Sequence, residues 1–177
     1  MRGLVSLESS GLKEFIAEME GFVEAFPECS ELALKAQEDF LIEKIKQNYV
    51  SMVPGAKVGD FIYSSIGKST ELSKLNTYSV VGTVGVYKLD KVEKQFGKTE
   101  KDFNAPQLAY WIEYGTTLLK SGEKKKTGLI YPEGDVKLKD AAIPFMSNAI
   151  YSTIDEQKTV FINAFWKNID QFSYSGA

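Results

Sequence analysis

Thr77-Tyr78-Ser79-Val80-Val81-Gly82-Thr83-Val84-Gly85-Val86 decides the fold class of this chain. Tyr78, Val80, Gly82, Val84 and Val86 fall on one side of an extended backbone, and Thr77, Ser79, Val81, Thr83 and Gly85 on the other. That period of two predicts a β-strand with one apolar face. Gly82 and Gly85 mark a bulge or a close backbone approach. Upstream, Val58-Gly59-Asp60-Phe61-Ile62-Tyr63-Ser64-Ser65-Ile66 is β-branched and aromatic and stops at Gly67, so it reads as a second strand. The polar residues 67–76 form the loop between them. Strands 60–66 and 77–88 are expected to pair antiparallel through it.

Helical patterns flank this pair. Leu12, Phe15, Ile16, Met19, Phe22, Val23 and Phe26 recur at three- and four-residue steps, which predicts an amphipathic helix over 10–26. Ser10 can cap its start, and Pro27 marks its end. A second helix is expected from Ser30, as N-cap, to Met52, with Pro54-Gly55 as its stop. Residues 89–104 read as a long loop or a short helix. Asn104 can cap a helix opening at Ala105-Pro106, with Leu108, Trp111 and Ile112 on its apolar side and Gly115 at positive φ past its end. The alternative across 110–114 is a strand. Residues 118–139 form a long insert, in which 129–131 and 136–138 have the pattern of a hairpin. The last helix is expected from Pro144 to Ile169. Helices do not alternate with parallel strands, so the class is α+β: a small antiparallel β-sheet with long N-terminal and C-terminal helices packed on one face. The division is an arm over 1–29, one α+β domain over 30–170, and a loose tail over 171–177.

Composition removes several functions. The chain has 177 residues, 44% of them hydrophobic, which is enough for a core without staples. Its formal charge of −3 gives no global basic field for nucleic acid. There is no histidine, so Ser-His-Asp and Cys-His catalysis and HExxH zinc sites are excluded. The single cysteine, Cys29, cannot form an internal disulfide and reads as structural. Gly67-Lys68-Ser69 imitates the end of a phosphate-binding loop, but Ile62 stands where that pattern needs glycine. No run is long and apolar enough to cross a bilayer, and Met1–Ser6 lacks the apolar core of a signal peptide, so the cytoplasm is the expected compartment. No catalytic residue, cofactor or metal ligand is expected. Glu113, between Ile112 and Tyr114, stands apart from the solvated helix acids: its carboxylate is expected to accept backbone N–H groups at a turn. Lys124-Lys125-Lys126 is a candidate contact for DNA or a partner.

Three of these blocks carry a resemblance. Val58–Ile66, with its glycine and Ser65-Ile66, the stretch Ala109-Tyr110-Trp111-Ile112-Glu113-Tyr114-Gly115-Thr116, and Ala142-Ile143-Pro144-Phe145-Met146 with Ala149-Ile150 occur in that order. Together they resemble the tailed-bacteriophage minor tail, or tail-completion, proteins that join head to tail. The likeness covers about residues 30 to 155; the first helix and the lysine-rich insert depart from the family pattern. It implies a structural subunit of the virion neck, present in the host cytoplasm during assembly, and not an enzyme. The implied partners are further copies of the chain in a ring, a hexamer by expectation, and neighbouring neck and tail proteins. DNA would pass through without sequence-specific binding, and no membrane is involved. Glu113, Tyr114, Gly115 and Thr116 would fix a turn that orients the insert, and Pro144 and Phe145 would anchor the last helix on the sheet. The alternatives are a monomeric or dimeric phage-encoded regulator or assembly chaperone, and a carboxylate hydrolase using Mg²⁺.

Overall fold

The computed structural model describes residues 10–69, 73–76, 79–99, 102–115 and 142–174. The order is α1 (Ser10–Met52), α2 (Phe61–Ser65), β1 (Ile66–Lys68), β2 (Ser73–Asn76), β3 (Ser79–Val81), β4 (Val84–Val86), α3 (Asp90–Gln95), α4 (Ala105–Tyr114), α5 (Phe145–Ser152) and α6 (Ile154–Tyr174). The fold is α+β: mostly helical, with small antiparallel strand pairs and long helices at either end of the described chain. Two compact units share these elements. One takes the described residues up to Phe40, from Ser69 to Thr83, and from Ile154 onward. The other takes Leu41–Lys68 and the described residues of Val84–Thr153.

In the first unit, α1 presents Ala25, Cys29 and Ala33 at successive four-residue steps, all buried. Small side chains in one row let another helix come close. Phe165 and Ile169 of α6 pack against that row, joined by Phe22, Phe26 and Phe161. The Phe165 ring meets Phe26 edge-on at 5.3 Å and Phe22 at 6.5 Å. Pro27, expected to end a helix, lies inside α1, and the helix expected to start at Ser30 is its continuation. Proline in a helix interior leaves the carbonyl four residues back without its donor, at a cost of about 3 kcal/mol. Burial on both sides of Pro27, at Phe22, Ala25 and Phe26 and then Cys29 and Ala33, opposes that cost. In this unit β2 pairs antiparallel with β3, with an irregular register between Lys74 and Asn76.

The second unit holds the larger core. Ile45 and Tyr49 of α1, Ile62 of α2, Ile66 of β1, Ala109 of α4, and Phe145 and Ala149 of α5 are buried together. β1 pairs antiparallel with β4, with Ile66 opposite Val86 and Lys68 opposite Val84. Val84 and Val86 pack on this core, as their alternation predicts. The strand expected over 60–66 is corrected: residues 61–65 form a helical turn and the strand begins only at Ile66. Asp60 is the reason. Its carboxylate accepts the Tyr63 N–H at 2.9 Å and caps α2. It also accepts the Lys57 N–H and the Tyr49 hydroxyl, each at 3.0 Å. A capping aspartate supplies the orphan donors of a helix start, and this local gain overrides the strand propensity of the residues that follow. A third cluster joins Phe61, Val92 and Ala105, so α2 feeds two apolar groups from adjacent positions. The single helix expected over 144–169 is also corrected. It divides at Thr153, whose hydroxyl donates to the Ala149 carbonyl at 2.6 Å, while that of Ser152 donates to Asn148. Such side-chain bonds to the preceding turn slightly destabilise helices and often bend them. The second piece continues past Ile169 to Tyr174.

Two predictions follow from these cores. Burial, then the Asp60 charge and the hydrogen bond to it, push the Tyr49 phenol above its ordinary range. The folded state therefore holds a proton that the unfolded chain releases near pH 10, so this contribution is full below about pH 10 and is lost as pH rises further. Tyr49→Phe should cost about 1 kcal/mol at pH 7 and flatten the loss of stability above pH 10, read by urea unfolding at pH 7 to 11. A loss as steep as in the unsubstituted protein would remove this linkage. Cys29 is fully buried, and burial raises its thiol pKa. Its reaction with an aromatic disulfide reagent should therefore wait for unfolding, in step with the loss of helical circular dichroism.

Candidate functional site

Glu113, in the last turn of α4, is a buried carboxylate with three donors on its oxygens. It is 2% exposed. Asn104 sets α4 in register by accepting the Gln107 N–H, while the Gln107 side chain returns to the Asn104 N–H. Pro106 sits in the first turn, where its missing N–H costs nothing. The helix runs through Tyr114, so the strand alternative over 110–114 is not what forms. It ends on Gly115 at φ 75°, ψ 166°, a conformation essentially confined to glycine. The positive φ expected there is found.

Glu113 does not spend its carboxylate on its own turn. One oxygen accepts the Met146 N–H at 2.9 Å; the other accepts the Ser147 N–H at 2.8 Å and the Ser147 hydroxyl. Met146 and Ser147 are the second and third residues of α5, whose own N-cap, Pro144, offers no side-chain acceptor. Glu113 thus caps α5 from another helix, where the N-terminal dipole favours an anion. The other donors of that turn are also met. Pro144, at φ −78° and ψ 63°, centres an inverse γ-turn in which the Phe145 N–H reaches the Ile143 carbonyl at 2.8 Å. The Asn148 N–H bonds to the Pro144 carbonyl at 2.9 Å, the first bond of the helix proper.

Phe145 is fully buried, 5.3 Å ring to ring from Tyr49, and its carbonyl accepts the Asn48 side chain at 3.2 Å. The Ile143 N–H donates to the Ile112 carbonyl at 2.8 Å. Within this unit, then, the end of α4 and the start of α5 are fastened by a backbone bond and the Glu113 cap. Tyr110 and Tyr114 are exposed and pair at 4.8 Å on the outer side of α4. Thr116, Lys124, Lys125, Lys126 and the hairpin pattern at 129–138 lie outside the described residues. Ser147, Asn48 and Asp60 were not singled out in the sequence. Ser147 carries no local signal, whereas Asp60 stood three residues before the Tyr63 N–H that it caps and was legible as an N-cap.

With three donors on its oxygens and almost no exposure, the Glu113 carboxylate is placed to hold two helices rather than to meet a solute. Among the described residues no group of three or more Cys, Asp or Glu side chains is placed to hold a metal, and no helix is long and apolar enough to cross a membrane. Removing Glu113 strands two backbone donors inside the unit. Glu113→Ala should cost about 3 kcal/mol in urea unfolding. Glu113→Gln should cost nearly as much, because its amide turns a donor toward the Met146 or Ser147 N–H. A loss under about 1 kcal/mol for both would show that the cap is not needed. In comparisons with known proteins, no family model, no curated protein and no solved structure matches this chain.

Proposed function

We propose that this protein is a structural subunit of the head–tail neck of a tailed phage or a prophage-derived particle. It would assemble with copies of itself and with neighbouring neck and tail proteins around the DNA channel. One observation carries the reading. The two blocks that most resemble tail-completion proteins, Glu113-Tyr114-Gly115 and Pro144-Phe145-Met146, meet as one fastening, with Glu113 on the Met146 and Ser147 N–H groups. Two blocks that carry a resemblance have a physical reason to occur together when they bond to each other. The roles read here are architectural: Glu113 and Gly115 end α4, and Pro144 and Phe145 begin and seat α5. Such a base suits a subunit that must present a segment to its neighbours while its own fold stays fixed. DNA would pass through the assembly without sequence-specific contacts, in keeping with the net charge of −3.

The test is the mass of the purified chain across a wide concentration range, by light scattering after size exclusion. A discrete closed species, a hexamer by expectation, is the outcome this reading requires of a preformed interface. If the chain stays monomeric, its addition to separated phage heads and tails should still join them, as seen by electron microscopy. A monomer that joins nothing would shift the reading to a regulator or assembly chaperone with a single protein partner.

A further inference from the structure

Helix α1 carries an apolar stripe that its own unit does not cover. Phe15, Ile16, Met19 and Val23 are 46–56% exposed, and they lie beside the buried row of Ala25, Cys29 and Ala33 that faces α6. Four large apolar side chains at helical spacing on one exposed face mark an interaction surface. The charge around it has one sign. From Phe15 to Leu34 there are five glutamates, Glu18, Glu20, Glu24, Glu28 and Glu31, and no lysine or arginine. Glu20 and Glu24, one turn apart, border the stripe next to Ile16 and Val23.

The same chain contains the complementary chemistry. Between Leu118 and Tyr131 it has four lysines, Lys120, Lys124, Lys125 and Lys126, against one glutamate, Glu123. Apolar residues stand on both sides: Leu118 and Leu119 before, Leu129, Ile130 and Tyr131 after. We infer that the α1 stripe is a docking site for the lysine-rich insert of a second copy of this chain. Apolar residues from both sides supply the buried area, and the opposed charges set register and choice of partner. Two α1 stripes facing each other would set glutamate against glutamate, so a symmetric pairing is disfavoured. An acidic patch on one copy meeting a basic segment of the next is a heterologous contact, the kind that closes rings. The inference rests on the neck reading and deepens it by naming the joint between copies.

Charge exchange in the full-length chain tests it. Glu20→Lys with Glu24→Lys reverses the stripe, and Lys124→Glu with Lys125→Glu reverses the insert. Each pair alone should weaken self-association by at least about tenfold near 0.1 M salt, with a smaller effect at 0.5 M. Mixing the two variants should restore association, because each then offers the other a matched surface. Carbodiimide cross-linking of mixed ¹⁴N- and ¹⁵N-labelled unsubstituted protein gives a readout that needs no substitution. Mixed-isotope links should join Lys120 or Lys124–Lys126 to Glu18, Glu20 or Glu24. Variants that associate as the unsubstituted protein does, a mixture that stays apart, or links found only within one copy would each overturn the inference. A closed ring that persists in both variants would leave the neck reading standing and remove this joint. Charge-matched pairing that never closes into a discrete species would keep the joint and remove the ring.

Discussion

The carboxylate of Glu113 sits where the first turn of α5 would otherwise direct two N–H groups at no acceptor in the protein. Much of the second unit follows from that placement. The α5 start cannot move without exposing or orphaning those donors, so Phe145 is held in the core against Tyr49. Once Phe145 is fixed, so are the Asn48 contact to its carbonyl and the burial of Ala149 one turn later. A buried carboxylate is costly when unpaired. Here the helix dipole and three donors offset that cost, and the same contacts specify which residue of α5 comes first. Asp60 plays a like part at the other edge of this core, tying the end of α1, the 57–60 turn and α2 through three donors.

Local signals in the sequence were legible where the decisive partner is close along the chain. Asn104, Pro106 and Gly115 bound α4 as the cap, first-turn and positive-φ rules require, and Val84 and Val86 take the face their alternation assigns. The antiparallel pairing expected between 60–66 and 77–88 is found only where Ile66 meets Val86: β1 takes Gly67 and Lys68 from the expected loop, β2 lies inside that loop and pairs with β3, and the expected second strand is divided into β3 and β4. Glu113 was recognisable as a carboxylate held by backbone N–H groups, but its partners were not. They lie 33 and 34 positions away, beyond any local pattern.

Where expectation and structure part, a longer-range or competing interaction won. Pro27 is a strong local stop, yet the row Ala25, Cys29, Ala33 makes a face for Phe165 only if one helix runs through the proline. Residues 61–65 have strand composition, yet Asp60 stands where an N-cap must stand, and a five-residue helix puts Phe61 and Ile62 into different apolar clusters. The break at Thr153 is the reverse case. The apolar spacing runs on unchanged, yet the helix divides at Thr153, where the hydroxyls of Ser152 and Thr153 donate to the carbonyls of the preceding turn. For the first and last helices the apolar spacing holds and the break was misplaced; for 61–65 the strand reading itself fails, because Asp60 caps a helix there.

The fastening at Glu113 also separates two properties that usually compete. A long connection between two helices ordinarily leaves their mutual position to the connection itself. Here the Ile112–Ile143 backbone bond and the Glu113 cap set that position within the unit, whatever residues join Thr116 to Ala141. In the joint inferred between copies, the four lysines between Leu118 and Tyr131 would meet the acidic face of another subunit's α1. On α1 a Glu-rich helix likewise keeps four large apolar residues in solvent beside a row already packed on α6. Large apolar side chains left in solvent do not add to the stability of the lone chain, which is the mark of a surface kept for an encounter with another molecule.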